Sequence, residues 1–471
     1  RGRSDLTNAM SVIDSQIANA KRQVELIVRQ FDKYGFSDAG AEGIKNFISK
    51  GLIQVDQSYG RYEDAIHHYV DTPQGSRKVL HEVCSGNHTL LHMSVTGNRQ
   101  SIMQALIEAR ANLDVRDDSG RTALMLAAKK GNLEMVKALL ENSANASVAD
   151  KDGRTALMEA VSSGNLEMVK ALIQARANLD MQDDSRRTAL MDAARRGNPD
   201  MVNALIENGA NVNAIDKHKR TALMEAVSSG NLEMVKALIQ ARANLDMQDG
   251  SGRTALMEAV SSGNPDMVNA LIQARANLDM QDGNGRTALM DAAIRGNPDM
   301  VNALIENGAN VHAIDKHGRT ALMDAAKLRN PGMVNALIEN GANVNAIDKH
   351  GRTALMEAAR SGNPEMVKAL FEKEVKVNVA NNDGRTALME AFQWWNLEMV
   401  KALIEAKADI NVKFPNSDPY RGMSALEVAE EILQSETRTN NQQKIDKLKQ
   451  IIELLKEKRA QSAAQSPNVS Q

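Results

Sequence analysis

Residues 154–183 read RTALMEAVSSGNLEMVKALIQARANLDMQD, and the same thirty letters recur unchanged at 220–249. The two copies stand 66 residues apart, and the tetrad Thr-Ala-Leu-Met shows that this spacing is two periods rather than one. It starts at Thr122, Thr155, Thr188, Thr221, Thr254, Thr287, Thr320, Thr353 and Thr386, always 33 residues on. Self-similarity at a fixed period decides the architecture before local propensity does, because one such unit buries its apolar face only against its neighbours. A worn copy, HTLLHMSV, puts Thr89 on the same count, and MSALEVAEE puts Ser424 five residues late, after the inserted KFPNSDPY. The chain therefore carries nine regular units across 117–413, with a divergent unit at each end, 81–116 and 414–460.

Within one unit, Asp-x-x-Gly-Arg is turn chemistry, with glycine free to take positive φ. Thr-Ala-Leu-Met-Glu-Ala-Ala opens a short helix with threonine as its N-cap. Gly-Asn ends that helix and starts the next, glycine serving the left-handed cap and asparagine the following N-cap. Five units place proline next (Pro199, Pro265, Pro298, Pro331, Pro364), four of them with an acid after it. Proline at the first helical position and an acid in the first turn mark a helix start. The apolar spacing of MVKALIQ is helical, and ARANLDMQD or NGANVNAID returns as an extended loop to the next turn. Each unit is thus predicted to be two antiparallel helices and a projecting hairpin loop.

The motifs Asp-x-x-Gly-Arg-Thr-Ala-Leu-Met, Gly-Asn-x-x-Met-Val and Gly-Ala-Asn-Val-Asn at this period resemble the ankyrin repeat family. The resemblance implies an all-α, ankyrin-type repeat solenoid over about 330 residues. Where the family has Thr-Pro-Leu-His, the nine regular units have alanine and methionine, for example Ala156 and Met158. The family's Thr–His hydrogen bonds cannot form in them, and methionine is expected to fill the space with adaptable apolar volume. Eighteen of the 25 methionines occupy two fixed repeat positions and are assigned to the core.

The ends differ. Residues 1–80 are expected to form a helical N-terminal cap region. Within it Met10, Ile13, Ile17, Ala20, Val24, Ile27 and Phe31 step by three and four, a heptad seam suited to packing on 37–70 or to self-association through the 10–31 helix. KIDKLKQIIELLKEKRA is amphipathic and suited to seal the last repeat, and 461–471 reads as a disordered tail. The chain begins Arg-Gly-Arg, as a fragment or trimmed product would. The competing expectation is that the array is the targeting arm of a larger enzyme or secreted effector whose catalytic domain lies upstream of residue 1. Delivery of ankyrin arrays into host cells is the analogy behind it.

Composition excludes more than it assigns. With 57 Lys+Arg against 60 Asp+Glu, bulk charge gives no footprint for nucleic acid or an anionic membrane. The single cysteine, Cys84, forbids an internal disulfide framework and points to a reduced, cytoplasmic compartment. No apolar run approaches the roughly 20 residues that span a bilayer. The sequons at Asn87 and Asn145 are taken as chance in a chain with no secretory signal. His218, His317 and His350 hold one turn position, but neighbouring units stand roughly 8–10 Å apart. Two ligands of one zinc lie within roughly 4 Å of each other, so no metal and no cofactor are expected, and catalysis is not.

Two surfaces remain for a protein partner. Glu159, Asp192, Glu225, Glu258, Asp291, Asp324, Glu357 and Glu390 hold one position on successive first helices, which the resemblance places on a concave face. Several have a cation three or four residues on, whereas Glu159, Glu225 and Glu258 are followed by serines and are expected to stay unbalanced, attracting a basic or extended segment. The arginine ahead of each threonine is read as turn scaffolding. The fingertip residues Lys316, His317, Lys349 and His350 are expected in solvent, where they would meet the partner together with the concave face. Identical units cannot define a unique site, so specificity falls to the exceptions. Leu126, Ile294 and Leu328 interrupt polar helix faces. No aromatic residue lies between Tyr69 and Phe371, after which Phe371, Phe392, Trp394, Trp395, Phe414 and Tyr420 crowd together. That cluster is expected either to seal the core end or to anchor a partner, since Trp and Tyr dominate interface hot spots.

Overall fold

In the computed structural model the described residues are 89–108, 111–328, 330–371, 374–394, 396–439 and 442–465. The heptad seam 10–31, the cap region 1–80, Cys84 and Asn87 lie outside them, as does Trp395. All described elements are helices, apart from a single isolated β-bridge between Ala149 and Thr155. They divide into two compact units, separated after Glu225.

The first unit holds four helix pairs: Leu90–Thr96 with Gln100–Glu108, Ala123–Lys130 with Leu133–Glu141, Ala156–Ser163 with Leu166–Gln174, and Ala189–Arg195 with Pro199–Glu207. The second repeats the pattern from Ala255–Ser262 with Pro265–Gln273 through Ala387–Gln393 with Leu397–Glu405. It then ends in two longer helices, Ala425–Thr439 and Gln442–Gln465. The last of these runs through Gln465, five residues into the segment expected to be a disordered tail.

The caps are those the sequence calls for. Thr155 Oγ1 accepts from Met158 N at 3.3 Å, and Asn165 Oδ1 accepts from Met168 N at 3.1 Å. Each such cap satisfies an orphan N–H at a helix start and contributes about 1 kcal/mol. Proline stands at the N-terminal turn of Pro199–Glu207, where its missing N–H costs nothing. The apolar stripe points inward: all eighteen repeat-position methionines are at most 2% exposed. Burying such a side chain stabilises by roughly 1.5–3 kcal/mol. Methionine in the family's histidine position is therefore core.

Neighbouring repeats are tied along their turns. Lys151 N donates to Ser119 O at 2.9 Å, Asp184 N to Asp152 O at 2.8 Å, and Lys349 N to His317 O at 2.9 Å. Gly153 shows why the turn needs glycine: φ is +75°, and a Cβ there would lie 2.9 Å from Asp183 Cα of the next turn. Arg186 occupies the equivalent place one repeat later at φ 59°.

The divergent first repeat keeps what the others have lost. His92 is buried; its Nδ1 lies 2.8 Å from Thr89 Oγ1 and its Nε2 lies 3.0 Å from Arg121 O of the following repeat. A carbonyl only accepts, so Nε2 carries the proton and Nδ1 accepts. The sequence reading passed over this histidine, although Thr-x-x-His in TLLH was its signal.

Candidate interaction surface

Each turn is organised by its acid. Asp315 Oδ1 accepts from His317 N at 2.8 Å and from Arg319 N at 2.9 Å, and Asp348 Oδ1 accepts from His350 N and Arg352 N, both at 2.9 Å. This holds the following arginine at the base of the turn, facing the first helix of its own repeat and of the next.

From there the arginines meet the acidic column. In the first unit Arg154 Nε lies 2.7 Å from Glu159 and its Nη1 lies 3.6 Å from Asp192. Arg220 Nε lies 2.9 Å from Glu225. In the second unit Arg286 reaches Asp291 at 3.3 Å and Asp324 at 3.0 Å, and Arg319 reaches Asp324 at 3.0 Å and Glu357 at 2.9 Å. Arg385 pairs with Glu390 at 3.1 Å and with Asp418. The expectation that Glu159 and Glu225 stand unbalanced is corrected: the compensating cation comes from five residues upstream, not from the following turn of helix. Glu258 is half-buried and accepts from Ser228 Oγ. Of the expected pairs along one helix, Asp192 with Arg195 forms, at 3.4 Å. The arginines are thus more than turn scaffolding, since they link one repeat to the next.

The ladder also explains its exceptions. Arg121 faces Leu126 where other repeats have an acid, and it folds back onto its own turn, Nη2 to Asp117 at 2.8 Å. Arg352 has Asn381 ahead of it instead of an aspartate, and it too folds back, 2.7 Å from Asp348. Arg187 lies 3.3 Å from Asp192 and 3.8 Å from Glu225, yet its buried Nε and Nη2 are poorly aligned and donate no hydrogen bond. That repeat is also the one with Arg186 in place of glycine.

Charge states follow. Burial works against the charge on Arg154, Arg286 and Arg319, but the carboxylates around each outweigh it and hold the guanidinium above the ordinary arginine range. Burial pushes the Asp117 and Asp348 carboxyls up, and the hydrogen bonds from Arg121 and Arg352 more than reverse it, leaving both below the usual carboxylate range. Asp150 has no arginine folded back on it, and burial raises its carboxyl.

The aromatic cluster divides into core and surface. Phe392 is 1% exposed and stands edge-on to Phe414, ring centroids 6.3 Å apart. Phe414 is edge-on to half-buried Tyr420 at 6.0 Å. Two of the three come from the inserted loop, which thereby packs on the last regular repeat and which Asp418 fastens to Arg385. Phe371 and Trp394, by contrast, are exposed, at 41% and 54%. Trp394 sits just past the helix Ala387–Gln393, and the Arg360 guanidinium of the preceding repeat lies 5.5 Å from its ring centroid. Ile294 is 45% exposed near the corresponding end of Ala288–Arg295, and Leu328, just past the helix Ala321–Lys327 of the following repeat, is half-buried. The tips Lys316, His317, Lys349 and His350 are all in solvent. Exposed Ile314 and Ile347 beside them were not singled out by sequence reasoning.

Among the described residues no cluster of histidine, cysteine and carboxylates could hold a metal ion, and no helix is long and apolar enough to cross a membrane.

A family model described as ankyrin repeats in three copies matches residues 58–150, 142–216, 190–282, 256–348 and 332–414. The chain is similar to a solved structure described as the ankyrin repeat domain of Bcl-3, a unique member of the IkappaB protein family, at 31% identity with a TM-score of 0.41. That similarity covers 44% of this chain and 95% of the other. No curated protein is matched.

Proposed function

Because this chain belongs to the ankyrin repeat family, whose repeats are protein-interaction modules, we propose that it is a non-enzymatic scaffold that anchors a partner protein at Trp394. The observation that carries this is the exposure of an indole in a chain that buries its other described large aromatics or packs them on one another, Phe371 excepted. The Arg360 guanidinium over its ring fixes the indole in place before a partner arrives, and a side chain already ordered loses less entropy on binding. Tryptophan and arginine are also the residue types enriched at interface hot spots.

The arginine ladder supports the same division of labour. Repeat-identical side chains are occupied with each other, so their contribution is a rigid support. Partner choice falls to positions where repeats differ: Trp394, Phe371, Ile294 and the cationic tips. The test is affinity capture with the full chain, followed by titration of the captured protein against Trp394→Ala. A loss of at least about 2 kcal/mol, roughly thirtyfold, with the melting curve unchanged supports the anchor. Unchanged affinity, or loss of the fold, removes it.

A further inference from the structure

At four of the nine turns the residue just ahead of the turn acid ties one repeat to the next. Arg116 Nη2 donates to Ala149 O at 2.6 Å, Gln182 Nε2 to Ile215 O at 3.2 Å, Gln248 Nε2 to Gln281 O at 2.7 Å, and Gln281 Nε2 to Ile314 O at 3.0 Å. Ala149, Ile215, Ile314, Ile347 and Ala380 lack the tying side chain, and of these Ile314 and Ile347 stand in adjacent repeats as large apolar residues 55% and 59% exposed, whereas Ile215 is half-buried. An isoleucine there forfeits the tie and places apolar surface in water. Neither helps the chain fold.

The residues that follow complete a patch. Lys316 and His317 are exposed beyond Ile314, and Lys349 and His350 beyond Ile347. The acids between them, Asp315 and Asp348, are buried, accept the turn's own N–H groups, and face arginines inward. The charge presented outward is therefore positive. It is bounded by uncharged Gly283 and Asn284 on one side and by exposed Asp383 on the other. The tips are held in register by Lys316 N to Asn284 O, Lys349 N to His317 O and Asn382 N to His350 O, each 2.9 Å.

We propose that these two tips form a docking site for an acidic, extended polypeptide segment that sets aliphatic side chains on Ile314 and Ile347 and carboxylates against Lys316 and Lys349. Equivalent positions of packed repeats recur at roughly 8–10 Å. A polyproline-type segment brings the same face round every three residues, about 9 Å, so the carboxylates belong three residues apart. The proposal rests on the scaffold reading and gives its partner a polarity opposite to the basic one implied by an unpaired acidic column.

The test is fluorescence anisotropy of the full chain with labelled three-unit repeats of Glu-Pro-Leu, Lys-Pro-Leu and Gln-Pro-Leu. The acidic peptide should bind about tenfold tighter than either other peptide at low salt and weaken as salt rises. Lys316→Glu with Lys349→Glu should cost about tenfold and move the preference to the lysine peptide. Ile314→Gln with Ile347→Gln should weaken acidic binding while the melting temperature holds or rises, a combination that damage to the fold cannot produce. Equal binding of the lysine peptide, indifference to the tip substitutions, or no binding of any peptide overturns the proposal. The captured-protein titration at Trp394 decides the scaffold reading independently of these outcomes.

Discussion

Arg319 and Glu357 belong to neighbouring repeats, and Nη1 of the one lies 2.9 Å from Oε1 of the other. The same arginine also holds Asp324 of its own repeat at 3.0 Å. A pair 38 residues apart is available only if repeats stack in register. The equivalent reach of Arg286 to Asp324 shows that it is a property of the repeat within this unit rather than of one site. Near-identity of the units thus has a physical consequence: each copy supplies both halves of its neighbours' ion pairs.

Removing Arg319 should therefore be costly. Asp324 and Glu357 have side chains only 5% exposed; Arg319→Met leaves Asp324 with Arg286 at 3.0 Å and deprives Glu357 of its closest cation. Breaking a buried pair from one side costs about 3 kcal/mol or more, reduced here because Arg286 keeps Asp324 paired and Arg352 still lies 3.5 Å from Glu357. By contrast, Lys170 and Glu167 pair on the surface at 48% and 62% exposure, and Lys170→Met should change stability by less than about 0.5 kcal/mol. Thermal melts of the two variants check this, with equal shifts as the contrary result.

Acid should loosen the two folded-back turns. Asp117 and Asp348 have folded-state values below the carboxylate's ordinary one, so the stability they contribute is full above about pH 4, the unfolded value. It is lost as pH falls through their lower folded values. Asp348→Asn should lower stability at neutral pH and flatten the decline below about pH 4, measured by melting temperature against pH. Asp150, raised by burial, has the opposite sign: its ionisation opposes folding and acid relieves that penalty, so Asp150→Asn, which removes the relief, should slightly steepen the acid loss.

The repeat period, the helix caps and the methionine core were legible in the sequence, because each depends on residues close together within one unit. The ladder was not, since its partners are 38 residues apart and the nearer cations on each helix offered a simpler pairing. The aromatic cluster was visible as a composition anomaly, but composition cannot say that Phe392 packs inward while Trp394, two residues on, faces out. Exposed Ile314 and Ile347 were hidden for a different reason. Their neighbours in sequence are turn residues, and the missing tie is apparent only once Gln281 is seen bonding the next repeat.

Arg186 sits at φ 59°, as Lys219 does one repeat later, where the other seven regular turns carry glycine. A non-glycine residue in the left-handed region is disfavoured by roughly 1–2 kcal/mol. Arg186→Gly should stabilise the first unit by about 1 kcal/mol after the entropy glycine adds to the unfolded chain. A lower melting temperature would show that the arginine side chain contributes something the turn geometry does not.

A second tie can be restored. Asn310 N donates to Asp279 Oδ1 at 2.8 Å and Lys376 N to Asn345 Oδ1 at 2.7 Å, each joining adjacent loops. His312 stands where Asp279 does one repeat earlier, and among the described residues Asn343 N finds no such bond there. His312→Asn should add about 1 kcal/mol, the net worth of one hydrogen bond. Slower amide exchange at Asn343 is the direct readout.

The most direct test of the division between supporting and choosing residues is a single comparison of affinities for the protein captured by the full chain. Trp394→Ala should weaken binding roughly thirtyfold, while Glu225→Gln, which alters a residue already paired with Arg220, should leave affinity within about twofold once the fold is verified. The reverse pattern, with the repeat-identical acid decisive and the exposed indole dispensable, would contradict the account.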